Sequence, residues 1–269
     1  MLESVKHSNY KTLRYDSAAG VVRVTLCRPQ LHNRMDLEAH EEFEDALLAI
    51  HRDYTARVVL ITSEGKHFSA GGDLAEVDRL RTDPLRRRRM FHDARELAHA
   101  LISIEIPVIT AVQGDAAGLG ATIAVLSDII VVAKTSGLTD PHVAIGLAAG
   151  DGGCVGWPLA MGLTRAKRYL LTGDRIDGEK AYHFGLATDL VETAEEILPV
   201  AEKLAQKISR MAPLGVRGTK RALITYSQRA MADTFESALS AEELCMVSDD
   251  AREAVEAFRE KRKPFFKGS

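Results

Sequence analysis

The chain reads as an α/β protein whose strands and helices alternate, followed by a helical C-terminal region. Three observations carry this reading. Short β-branched runs recur at 21–26 (VVRVTL), 57–62 (RVVLIT), 107–114 (PVITAVQG) and 128–133 (DIIVVA). Helical patterns stand between them, so successive strands are joined by crossovers. Beyond about residue 193 the strand signal stops, and only helical patterns follow.

Taken in order, the first helix follows strand 21–26. Leu37, Phe43, Ala46, Leu47 and Ile50 fall at helical spacing, with Asp36 placed as N-cap. The run 128–133 is almost wholly apolar, as in a strand buried on both faces. Between it and 107–114, GLGATIAVLS has the length and composition of a short buried helix. The segments TAEEILPVAEKLAQKISRM, VRGTKRALITYS, ADTFESALSAEELCMVS and DDAREAVEAFREKR make up the tail. The expected division is a core over 1–199 and a helical region over 200–269.

A chain of 269 residues suits one large domain, or one with a small appendage, and needs no covalent staples. Hydrophobic content of 46% and charged content of 27% are ordinary for a globular protein. The net charge of −3 offers nothing global to attract nucleic acid or an anionic membrane. Cys27, Cys154 and Cys245 are too few and too scattered for a disulfide framework, which fits a reducing compartment. The first 16 residues lack an apolar signal-peptide run, and no stretch has the length of a membrane span. A soluble, cytoplasmic protein is expected. Arg86–Arg89 reads as a solvated helix face, with a phosphate or RNA patch as the alternative. His92 and His99, seven apart, cannot hold one ion on a helix.

Two glycine segments follow strands. In GKHFSAGGDL (65–74), Gly71 and Gly72 let the chain bend and bring bare N–H groups near a ligand. In GDAAGLGATIAVLSD (114–128), Gly118-Leu119-Gly120 opens a helix, where orphan N–H groups and the positive dipole end converge. Two such sources can polarise a carbonyl as an oxyanion hole. Each can also be simply a tight turn. A dinucleotide fingerprint fails because Ile123 stands at the third glycine position, and no Walker motif is present.

With CRPQLHNRMD, HFSAGGDL, VQGDAAGLGATIAVLSDIIV, GWPLAMGLTRAKRYLLTGDRIDGEKAYHFGLATDLV and AFREKRKPFF in this order, the chain resembles the crotonase (enoyl-CoA hydratase/isomerase) superfamily over nearly its whole length. The resemblance implies a spiral of repeated ββα units and a C-terminal helical region used in trimers, which often pair into hexamers. It implies an acyl-CoA ligand, with coenzyme A as part of the substrate, and no metal or other cofactor. The thioester oxygen would sit on the backbone N–H groups of Gly72 and Leu119. Leu119 replaces a usual glycine, but the donor is main chain. By motif position, Leu31, Arg34, Ala70, Asp73 and Leu74 would line the coenzyme A, and Lys261 or Lys263 of a neighbouring subunit would meet its phosphates.

Two positions depart from the pattern. The resemblance places catalytic glutamates where this chain has Thr122 and His142. A threonine hydroxyl has no useful basicity near neutrality, so Thr122 can only position water or substrate. An imidazole titrates near 6.5 and suits acid–base work. Asp151, nine residues on, is expected to bond one nitrogen of His142 and fix its tautomer, or to cap the helix beginning near Gly152. A superfamily branch that hydrolyses C–C bonds of β-diketones is similar in having such a pair. The leading expectation is therefore an enoyl-CoA hydratase/isomerase-like enzyme working through oxyanion stabilisation. The alternatives are a C–C hydrolase of a β-diketone or 3-oxoacyl compound using His142 and Asp151, and a non-catalytic homologue binding coenzyme A or RNA.

Overall fold

The computed structural model describes residues 10–269. Part of the N-terminal stretch read for a leader thus lies outside the described residues. Strands β1 (Leu13–Ala18) and β2 (Val21–Leu26) form an antiparallel hairpin. Its turn residues, Ala19 and Gly20, have φ of 52° and 80°, the left-handed conformation that tight hairpins need. Helix α1 (Leu37–Arg52) starts as expected, with Asp36 accepting from the Ala39 N–H. Then come β3 (Val58–Ser63), α2 (Leu74–Thr82), α3 (Pro84–Ile102) and β4 (Val108–Val112). Next are β5 (Asp115–Ala117), α4 (Leu119–Val125), β6 (Ile129–Ala133) and β7 (Gly137–Thr139). A 3-10 turn at His142–Ile145 precedes α5 (Gly153–Met161) and α6 (Leu163–Leu170). The chain ends with β8 (Ile176–Asp177), α7 (Gly178–Phe184), β9 (Asp189–Val191), α8 (Ala194–Ser209), α9 (Pro213–Met246) and α10 (Asp249–Arg259).

The main sheet has the order β1-β2-β3-β4-β6-β9, parallel except for the first pair. A smaller sheet, β5-β7-β8, stands beside it. The run expected as a strand over 107–114 gives β4 of the main sheet, and β5 of the smaller one begins just beyond it, at Asp115. Gly114, at φ 69°, turns the chain after β4, where a Cβ would lie 2.0 Å from the Lys66 carbonyl oxygen. This α/β arrangement of repeated strand–strand–helix units is the one expected.

Strand β3 is buried along its length and alternates between two cores. Val59 and Ile61 pack with α1 and α3, while Val58 and Leu60 pack with Ile197, Ala201 and Ala205 of α8. Helix α8 therefore crosses the expected division near 200 and forms a layer of the sheet. The separate helical region begins at α9. Its Met231, Phe235 and Leu239, with Val255 of α10, pack against Val77, Leu80 and Phe91 of α2 and α3. Among the described residues no helix is long and apolar enough to cross a membrane. The three cysteines are free thiols.

Candidate active site

The parallel strands β2, β3 and β4 end at the same edge of the sheet, where their loops meet. Asn33 ties the first two loops together. Its side-chain N–H groups donate to the carbonyls of Glu64 and His67, and its Oδ1 accepts from the Arg28 N–H. Ser69 Oγ donates to the Asn33 carbonyl at 2.7 Å, and the Met35 N–H donates to that of Gly71 at 2.8 Å. His32 and Asn33 hold φ of 51° and 50°, strain that this network over-determines.

The Gly71-Gly72 loop then lies against the Gly118-Leu119-Gly120 segment. A Cβ on Gly71 would come 2.5 Å from the Ala117 carbonyl oxygen, and one on Gly120 would come 2.6 Å from Ser69 Cβ. Only glycine permits this approach. The N–H of Leu119, the first residue of α4, has no intrahelical partner. Among the described residues, neither it nor the Gly72 N–H donates a backbone hydrogen bond. Both residues line a cavity of about 740 Å³, within the range of small-molecule sites.

His142 closes one side of this cavity and is 8% exposed. Its Nδ1 donates to Asp140 Oδ1 at 2.6 Å. Pro141 makes the turn that folds this carboxylate, two residues back, onto the ring. Asp151 Oδ2 and Glu242 Oε1 lie 3.7 and 3.8 Å from the other nitrogen, Nε2. Asp151 and Glu242 line the cavity and Asp140 does not, so Nε2 is the edge turned to a ligand. The expected pairing is corrected here: the partner that fixes the tautomer is Asp140, not Asp151. Asp151 instead accepts from the Thr122 hydroxyl at 2.8 Å. Its contact with the Gly153 N–H is 3.4 Å, and α5 has Gly152 at its cap with no side-chain cap bond. Thr122 is buried with its hydroxyl on Asp151 and does not line the cavity, which corrects its expected role at the substrate.

Burial opposes a charge on His142, but the carboxylates of Asp140, Asp151 and Glu242 outweigh it and hold the imidazole well above its ordinary 6.5. Burial raises Asp151 and pushes Glu242 up to about 8, the nearby imidazolium opposing both shifts. Ligand-type atoms of Asp140, His142 and Asp151 lie within 4.8 Å of one another. Asp140 bonds Nδ1 while Asp151 faces Nε2, a layout for proton exchange through the ring. Cys154, raised to about 11 chiefly by burial, stays a thiol.

Leu31, Arg34, Ala70, Asp73 and Leu74 all line the cavity. Arg34 is engaged by Asp36 at 3.3 Å and Asp73 at 3.0 Å. Lys261 and Lys263 lie outside the cavity lining. In the arginine run, Arg86 pairs with Glu76 and Arg89 with Glu41, while Arg87 donates to the Leu80 carbonyl. Those arginines hold helices together.

Sequence reasoning passed over Asp140, Glu242 and His40. Asp140 was signalled by its place two residues before a histidine in TDPH. His40 shares the buried stripe of Phe43 and Leu47. Glu242, on α9 a hundred residues away from His142, gave no local signal.

The family model described as Enoyl-CoA hydratase/isomerase matches residues 16–269. The chain belongs to this family. A crotonyl-CoA hydratase of Syntrophomonas wolfei is 32% identical over 244 residues, 89% of this chain and 91% of the relative. The structure of an enoyl-CoA hydratase/isomerase from Mycobacterium paratuberculosis superposes with a TM-score of 0.85 at 35% identity, covering 91% of this chain and 97% of that one. A β-diketone hydrolase from the cyanobacterium Anabaena, solved with (S)-3-oxocyclohexyl acetic acid, gives 0.81 at 26% identity, covering 88% and 95%.

Proposed function

We propose that this crotonase-family protein hydrolyses the C–C bond between two carbonyls of a 3-oxoacyl or β-diketone substrate. The observation that carries the reading is the His142–Asp140 bond of 2.6 Å, with Nε2 turned to the cavity. In its neutral form His142 takes a proton from water as the water oxygen bonds to one carbonyl carbon. The amides of Gly72 and Leu119 hold the oxygen on which negative charge collects. When that carbonyl re-forms, the C–C bond breaks and its electron pair becomes an enolate conjugated with the second carbonyl. His142 returns the proton to the enolate carbon. The hydroxyl of water ends on one fragment as a carboxylic acid and its hydrogen on the other. The likeness to a β-diketone hydrolase supports this reading.

Enoyl-CoA hydration or isomerisation is the second reading, and one observation favours it. Asp151 and Glu242 set two carboxylates on the cavity wall beside Nε2, although the expected glutamate positions hold Thr122 and His142. Mass spectrometry of 3-oxoacyl-CoA, β-diketone and enoyl-CoA panels in ¹⁸O-water separates the two. Label in a new carboxylate with chain cleavage supports hydrolysis. Label in a hydroxyl without cleavage overturns it.

Assembly to a homotrimer or hexamer belongs to the same proposal. Leu223, Tyr226 and Leu244 stand exposed along α9, an apolar surface that a neighbouring copy would cover. Light scattering that finds only monomer at micromolar concentration would rule this out.

A further inference from the structure

A second histidine lines the same cavity. His40, in the first turns of α1, is 7% exposed. Among the described residues neither of its ring nitrogens has a hydrogen-bond partner, and Nδ1 is sealed from solvent. A buried N–H left without an acceptor is rarer in folded proteins than a buried acceptor left short of a donor. By the same preference the proton is assigned to Nε2, the edge that is not sealed and remains to meet the cavity. Burial outweighs the Asp36 carboxylate and pushes the imidazole pKa down to about 4, so the ring is neutral near pH 7. Buried apolar side chains, Met35, Phe91 and Ala94 among them, line the same cavity. A polar group in such a wall costs stability unless a ligand pairs with it.

From this geometry we infer that His40 is a specificity-determining residue, whose Nε2–H donates to a second oxygen of the substrate, a ketone or hydroxyl on the acyl part. The inference deepens the reading above and rests on its assignment of this cavity to the substrate. A neutral donor suits an uncharged oxygen, and the lone N–H selects an oxygenated chain or ring over a plain hydrocarbon one. A site built to bond a substrate oxygen rejects the analogue that lacks it far more strongly than an apolar site rejects a missing methylene.

The test measures binding in His142→Ala protein, so that no turnover intervenes. The probes are S-acetoacetyl-N-acetylcysteamine and S-butyryl-N-acetylcysteamine, alike except for one ketone oxygen. The oxo thioester should bind at least about tenfold tighter. Adding His40→Phe should abolish the preference, and His40→Gln, which keeps a donor, should retain part of it. Equal affinities with His40 intact, no binding of either probe, or a preference that survives His40→Phe would each overturn the inference. The first of these needs no variant of His40, so a folding failure of His40→Phe does not protect the idea. Preference without C–C cleavage by the native protein would remove the hydrolase reading and leave His40 in place. Cleavage without preference would do the reverse.

Discussion

Two buried histidines face one cavity, and their surroundings drive them to opposite states. His142 has three carboxylates around it and is held well above 6.5, while His40 is buried with only the Asp36 carboxylate to oppose the desolvation and falls to about 4. The residue type is the same, and burial opposes charge at both. What differs is whether carboxylates are near enough to outweigh the desolvation. One ring is thereby placed to exchange protons, and the other to remain a fixed neutral donor.

The strongest way to break this comparison is to delete the charged member. His142→Ala should lower turnover by about 10²–10⁴-fold, the usual contribution of general acid–base catalysis, with ligand affinity close to unchanged. Steady-state rates and calorimetric binding check both halves. Full activity in the variant would transfer the chemistry to Asp151 or Glu242.

Next comes the orienting carboxylate. A general base works in its deprotonated form, so native turnover should rise with pH through a range above 6.5. Asp140→Asn keeps the shape but removes the charge on Nδ1, moving His142 toward the condition of His40. Turnover should fall by about 10²-fold, and the rising limb of the pH–rate profile should shift to lower pH. Asp151→Asn should cost less, because Asp151 does not bond the ring. The reverse ranking would restore the pairing expected from the sequence.

Glu242 gives a smaller effect, on stability. Its folded pKa of about 8 lies above the ordinary 4.5. It therefore binds more protons folded than unfolded, and its contribution is full below about 4.5 and lost as pH rises through 8. Glu242→Gln removes that loss. The variant should melt higher than native protein above pH 8, by roughly 2–4 °C if the relief is about 1 kcal/mol. Melting curves against pH that stay parallel for the two proteins would refute this.

The smallest change is Thr122→Val, which deletes the 2.8 Å bond to Asp151 and little volume. A buried carboxylate that loses a donor should cost about 1–3 kcal/mol, read from denaturant unfolding. An unchanged midpoint would mean that the hydroxyl is immaterial.

Much of the fold could be read in advance because its signals are local. The β-branched runs, the Asp36 cap and the two glycine segments are decided within a few residues. The division near 200 misplaced α8, because periodicity marks a helix but not the sheet face that it covers. The site was half legible. Gly72, Leu119 and His142 follow from motif position, and the structure brings all three to one cavity. The partners of His142 were harder, since a carboxylate two residues away and another on α9 reach the ring only once the turn at Pro141 and the helix packing exist. His40 was hidden for a different reason: a polar residue in an apolar stripe looks like an imperfection until a cavity opens beside it.

The account is tested most directly by an NMR titration of the histidine side chains in the native protein. It predicts that His142 keeps its proton well above pH 6.5, that His40 stays neutral until the pH nears about 4, and that Asp140→Asn lowers the first without moving the second. If both rings titrate together near 6.5, the carboxylates do not govern His142, and the assignment of this cavity's acid–base chemistry to it is wrong.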